Sequence, residues 1–174
     1  MTSTPLVALD PPDPADWLVV NDNVMGGRSL GSLSLAASSI VFLGVLNTNG
    51  GGFASFRSRG LRHALAPFTA VQLRVQGDGR EWSCDLRAAA TSRDFGVTWK
   101  ALFPTQAGLI TLVRLPFDTF RPTWRGQLVP PERIPPDEAF PAAMESIGFT
   151  IADGQDGAFR LEVLAVEGEP LVPT

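Results

Sequence analysis

An all-β fold, two antiparallel sheets packed as a sandwich, is predicted by three features of the sequence. Apolar and polar residues alternate over nine or ten short segments, the period-2 pattern of half-buried strands. Turns rich in Gly, Asn and Asp separate those segments, as tight backbone reversals require. No stretch carries the apolar stripe of an amphipathic helix, although residues 136–144 offer one turn or two. A chain of 174 residues suits one domain with a core large enough to need no staples.

In chain order, residues 1–14 form a loose lead marked by Pro11-Pro12-Asp13-Pro14, residues 15–170 the domain and residues 171–174 a tail. Trp17-Leu18-Val19-Val20 begins the strands and a turn over 21–27 closes the first. Residues 30–35, 40–46 and 53–57 follow, with Asn47-Thr48-Asn49-Gly50 as a hairpin signal between the last two. Val71, Leu73 and Val75 share one face, opposite Gln72, Arg74 and Gln76. Gly77-Asp78-Gly79 turns the chain, and Trp82, Cys84 and Leu86 return inward, which predicts a second hairpin. Val97, Trp99, Ala101 and Phe103 keep the same period until Pro104, which lacks the ladder donor. After residues 110–115 the prolines at 122, 130, 131, 135 and 136 predict an irregular surface excursion over 118–141. Ile147, Phe149 and Ile151, a turn over 153–157, and Phe159, Leu161 and Val163 complete the pattern.

Composition excludes several functions. No apolar run approaches the ~20 residues of a membrane helix, so no membrane insertion is expected. Residues 1–16 lack the basic and apolar regions of a signal peptide, so a cytoplasmic protein is expected. One cysteine, Cys84, and one histidine, His63, give no material for a disulfide, a zinc site or a His-based triad. Cys84 alternates with Trp82 and Leu86 as a buried strand residue, and His63 sits in a polar connector. The net charge of −4 and pI near 4.9 oppose a general nucleic-acid footprint. Lys100 is the only lysine and the other thirteen basic residues are arginine, the side chain that forms bidentate contacts.

No catalytic or cofactor motif emerges. Gly77-Asp78-Gly79 is followed by a strand, so no helix N-terminus is at hand for a pyrophosphate. Asp22, Asp78, Asp85, Asp94, Asp153 and Asp156 supply carboxylates, most in turns where backbone geometry already accounts for Asp. Asn21, Asp22, Asp153 and Asp156 are oxygen donors for calcium, with no diagnostic spacing, so no metal is expected.

Two constellations remain as partner- or ligand-binding candidates. Asp22, Asn23 and Arg28 lie in one glycine-rich block, and Arg57 follows the other. The structural alternatives are that Asp22 caps a turn and Arg57 pairs with a carboxylate. Trp124 and Arg125 lie in the proline-rich excursion. There Trp124 either anchors a partner or sugar ring or packs beneath the loop. Trp82 and Trp99 fall on the apolar phase of their strands and are assigned to the core.

Trp17, Asn-Asp-x-Val-Met-Gly-Gly-x-Ser at 21–29 and Asn-Gly-Gly-Gly-Phe-Ala-Ser-x-Arg at 49–57 resemble the complex I intermediate-associated protein 30 family. The likeness continues through Gly77-Asp78-Gly79-Arg80, Leu115-Pro116-Phe117, Arg125-Gly126, Ser146-Ile147-Gly148-Phe149 and Gly157-Ala158-Phe159-Arg160-Leu161-Glu162, covering residues 17–168. Departures fall at Asn23, Trp82 and Leu164. The resemblance implies a jelly-roll sandwich of the galactose-binding-like kind. It also implies a non-enzymatic assembly factor, since founding members are associated with building respiratory complex I and other relatives with photosynthetic complexes. A bacterial, stand-alone module that holds a protein partner, a membrane-complex assembly intermediate, is therefore expected. Carbohydrate binding is the alternative that the architecture suggests, and RNA association is the one that the acidic pI disfavours.

Overall fold

A computed structural model describes residues 2–88 and 96–173. The described residues form thirteen strands: β1 (Thr4–Pro5), β2 (Trp17–Asn21), β3 (Leu30–Leu35), β4 (Ile40–Leu46), β5 (Ala54–Ser58), β6 (Phe68–Gln76), β7 (Glu81–Ala88), β8 (Thr98–Pro104), β9 (Ile110–Pro116), β10 (Arg121–Trp124), β11 (Gln127–Leu128), β12 (Met144–Ile151) and β13 (Gly157–Pro170). One sheet runs β3-β4-β13-β6-β9, with β1 beside β13; the other runs β11-β10-β8-β7-β12-β5-β2. Every pairing between these strands is antiparallel. The result is the two-sheet jelly-roll sandwich that the alternation and the resemblance predict. Among the described residues no helix is long and apolar enough to cross a membrane.

Alternation decides which side chains meet between the sheets. Phe56, Trp82, Cys84, Leu86, Ile147, Phe149 and Ile151 come from one sheet and Ile40, Phe42, Val75, Leu161 and Val163 from the other, all fully buried. Phe42 lies 4.9 Å from Phe56 and 6.3 Å from Trp82, ring centre to ring centre, and Phe159 completes the cluster 5.8 Å from Trp82. Burying each such ring contributes about 1.5–3 kcal/mol, so this aromatic centre is what holds the two sheets face to face. Burial also pushes the Cys84 thiol well above its ordinary pKa, with the Asp85 charge acting in the same direction. That thiol is therefore inert packing material.

Four expectations are corrected. Strands β4 and β5 do not form a hairpin, because β4 pairs β3 and β13 while β5 pairs β2 and β12. Nor do β6 and β7, which also lie in opposite sheets. Alternation cannot separate the two outcomes, since the four residues of 77–80 span the ~10 Å between packed sheets as readily as they reverse a hairpin. The lead is not loose: Thr4 and Pro5 pair with Gly168 and Glu167, and Leu6 is fully buried. The excursion over 118–141 contains β10 and β11, and Pro122 sits opposite Trp99 in the ladder, its carbonyl accepting from the Val129 N–H. Buried Glu138 pins this segment by accepting the Val97 N–H at 2.8 Å, and Phe140 stacks on Trp99 at 4.8 Å.

Candidate functional site

One end of the sandwich is built from carboxylates that bind backbone. Asp22 follows β2 and is fully buried. One of its oxygens accepts the Ser29 N–H at 2.9 Å; the other accepts the Ser29 hydroxyl at 2.7 Å and the N–H groups of Gly52 and Phe53 at 2.7 and 3.3 Å. Burial alone would raise the Asp22 pKa, but these bonds from Ser29, Gly52 and Phe53 outweigh it and hold the carboxyl below its ordinary value. The two glycine-rich blocks are thereby tied into one unit. Glycine is required at 27 and 51 by this close approach: a Cβ would lie 2.3 Å from the Asp22 carboxyl carbon at Gly27 and 2.5 Å from a carboxylate oxygen at Gly51.

The stitching continues into the neighbouring loops. Asp156 accepts the Thr48 N–H at 2.7 Å, and Asp153 forms a two-pronged ion pair with Arg80, 2.9 Å to Nε and 2.6 Å to Nη2. Arg80 also donates to the carbonyls of Gln155, Gly157 and Ala158. Asp78 accepts the Arg80 and Arg160 N–H groups and the Trp82 indole N–H. The resemblance motifs at 21–29, 49–57, 77–80 and 157–162 thus converge on one network of loop contacts. Asp22, Asp153 and Asp156, raised above as calcium donors, are all engaged in it.

What this frame presents outward is apolar. Asn23 and Arg28 are exposed, and between them Val24 and Met25 stand 68% and 60% exposed at the tip of the stitched turn. Leu30 continues the exposure where β3 begins, opposite Val45, with Leu43 two residues along β4.

Arg57 belongs elsewhere. It pairs with Leu18, three residues along β2 from the end that carries the Asp22 turn, and points to the outer face of the seven-stranded sheet, opposite in phase to buried Phe56. Across that face one register row runs Arg57, Gly148, Asp85, Lys100, Arg121. No side chain fits at 148, because a Cβ would meet the Arg57 Cβ and the Phe56 carbonyl at 2.7 Å. Asp85 is buried, accepting from Ser83 at 2.8 Å and Thr150 at 2.6 Å, with the Lys100 ammonium at 3.5 Å. Among the described residues no carboxylate forms an ion pair with Arg57, so the expected pairing is not found there. Burial pushes the Arg57 guanidinium below its ordinary pKa, the Arg87 charge pushes the same way, and Asp85 opposes both. Beside the row a cavity of about 330 Å³ is lined by Lys100, Leu102, Thr119, Arg121 and Thr123.

Trp124 and Arg125 form a third place. Trp124 ends β10 half-buried, in phase with Pro122 and hence on the side of the sheet that carries Trp99. Arg125 turns with φ 46° and lays its guanidinium 4.9 Å from the Trp124 ring centre. The sequence-derived candidates therefore divide among a stitched turn, a polar sheet face and a strand end.

A family model described as complex I intermediate-associated protein 30 matches residues 8–163. The mitochondrial complex I intermediate-associated protein 30 of Mus musculus is 27% identical over 170 residues, covering 84% of this chain and 50% of that protein. The chain thus spans about half the length of that relative. Among solved structures, a family 11 carbohydrate-binding module from Clostridium thermocellum in complex with a β-1,3-1,4-mixed-linked tetrasaccharide superposes with a TM-score of 0.70 at 12% identity, covering 100% of this chain and 99% of that one. An agarase superposes with a TM-score of 0.63 at 8% identity, covering 100% of this chain and 25% of the enzyme. These superpositions show a shared galactose-binding-like sandwich, and a shared fold does not carry function with it.

Proposed function

The chain belongs to the complex I intermediate-associated protein 30 family, and on that premise we propose that it is a non-enzymatic binding module that holds a protein client while a respiratory or photosynthetic membrane complex is assembled. The observation that carries this reading is the apolar tip Val24–Met25 on a turn locked by buried Asp22. Exposed apolar side chains on a flexible loop would collapse onto the surface; here the four bonds to Asp22 keep them presented. A pre-organised apolar knob loses little conformational entropy when a partner covers it, which favours protein binding. Leu30, Val45 and Leu43 extend the same end into a surface that a client can bury.

The sugar-binding reading lacks a comparable feature. By strand alternation, no aromatic ring among the described residues lies on the outer face of the seven-stranded sheet, so no stacking platform for a sugar is built there.

Capture from detergent-solubilised membranes of the source cell tests the proposal, with the natural protein beside a Val24→Glu/Met25→Glu variant. The natural protein is expected to enrich subunits of one membrane complex. The variant should lose that enrichment by about tenfold or more, a loss of ~1.4 kcal/mol, at an unchanged melting temperature. Equal enrichment by both proteins contradicts the proposal.

A further inference from the structure

We propose that the row Arg57, Gly148, Asp85, Lys100, Arg121 on the outer face of the seven-stranded sheet is a docking strip for an acidic, extended segment of the protein client. This deepens the client-binding reading and rests on it. Arg57, Lys100 and Arg121 face one side of five adjacent strands, and Arg87 shares that face two residues along β7 from Asp85. Asp85 offsets one charge, that of Lys100 at 3.5 Å, and the three cations of the row remain in excess over its single carboxylate. It fixes the place of Lys100, whose side chain remains 28% exposed and whose ammonium has three donors to offer. Glu81 shares the face by alternation but stands four residues along β7, about 13 Å away. A basic strip on a chain of net charge −4 is a local feature of this face rather than a consequence of composition.

The spacing selects the ligand. Four strand intervals separate Arg57 from Arg121, about 19 Å, which six residues of extended peptide cover. The donors are separate side chains on β5, β8 and β10; Arg121 gives Nη1 to the Asp118 and Phe120 carbonyls and keeps its other N–H groups, so the set matches several separated carboxylates rather than one compact anion. A compact phosphate is held instead by convergent backbone N–H groups, and on this face the N–H groups are committed to the strand ladders. Single-stranded RNA calls for aromatic stacking platforms, which the described residues do not place here.

Fluorescein-labelled hexaglutamate titrated by anisotropy tests the strip on the full chain, in buffer of low ionic strength and again at about 0.15 M salt. Saturable binding that weakens with salt is expected, with hexaglutamine inactive. Arg57→Gln, Lys100→Gln and Arg121→Gln should each weaken it by about fivefold, the scale of a partly exposed ion pair. Arg121 is exposed, so its variant remains informative if one at Arg57 or Lys100 folds poorly. The strip assignment is overturned if hexaglutamate fails to saturate, or if the three variants bind it unchanged. It is equally overturned if inorganic phosphate or a uridine dodecamer displaces the peptide from the natural protein at lower concentration than unlabelled hexaglutamate does. The Val24→Glu/Met25→Glu variant should keep hexaglutamate binding. Loss of client capture in that variant together with unchanged hexaglutamate binding by the three strip variants would retire the strip and leave the client-binding reading standing.

Discussion

Asp22→Ala is expected to lower stability by about 4 kcal/mol, because it orphans the backbone N–H groups of Ser29, Gly52 and Phe53 at once, each worth about 1–3 kcal/mol when left unsatisfied. At roughly 2–4 °C per kcal/mol for a domain of this size, the melting temperature should fall by about 8–16 °C. Asp22→Asn should cost nearly as much, since both oxygens accept bonds and an amide turns a donor toward donors. Ser29→Ala removes one hydroxyl and should cost about 1–2 kcal/mol. Differential scanning calorimetry on the three variants checks the order. An Asp22→Ala protein melting within about 2 °C of the natural one, less than 1 kcal/mol by the same conversion, would mean the carboxylate is not the tie between the two blocks.

The Arg80–Asp153 pair carries the second large effect. The two side chains are 11% and 6% exposed, so removing one partner leaves a buried charge, at a cost of about 3 kcal/mol and 6–12 °C in melting temperature. The hydrogen bond from Arg80 holds Asp153 below its ordinary pKa of 3.8, and burial opposes that shift. Because the folded-state value is depressed, the stability is fully present above 3.8 and is lost as pH falls through the lower folded-state value. Unfolding free energies of the natural protein and Asp153→Asn should therefore differ most near pH 7 and converge in acid. A gap that widened as pH fell would contradict the ion-pair account.

Much of the fold was legible because burial in a sandwich imposes period 2 on every central strand. Phe149, Cys84 and Val75 were placed inward from alternation alone, and the structure buries all three. Pairing was less legible. Whether residues 77–80 reverse a hairpin or cross between sheets depends on which ladder takes each strand, and that depends on distant β12 and β13. Prolines at 122 and 130–136 hid β10, since a strand tolerates Pro122 where its missing N–H has no partner to lose. The hydrophobic run at Leu6 and Val7 was short enough to pass for a lead, yet it seals the core beside β13.

The candidate site was legible in part. Gly27, Gly51 and Asp22 are linked by a single cause, the close approach of loops to one carboxylate, and the sequence showed the ingredients without the contact. Arg57 stood in the same motif as Phe53 and Ala54, but strand phase sends it to the opposite side of the sheet from Phe56. Glu138 and Phe140 escaped notice because a buried carboxylate bonded to backbone and an aromatic packed under a loop leave no periodic signal. Val24 and Met25 were in plain view in the motif. An exposed apolar pair cannot be told from a buried one until the turn is built.

On the proposed function this turn, at Val24 and Met25, is where the client binds. The most direct test of that contact replaces Val24 with a photo-crosslinking residue and irradiates the protein in solubilised membranes, with the same residue at exposed His63 as the control position. Position 24 is expected to join covalently to a subunit of one membrane complex, and position 63 is not. Equal crosslinking from both positions, or none from position 24 while the complex is still captured, would contradict the proposed contact.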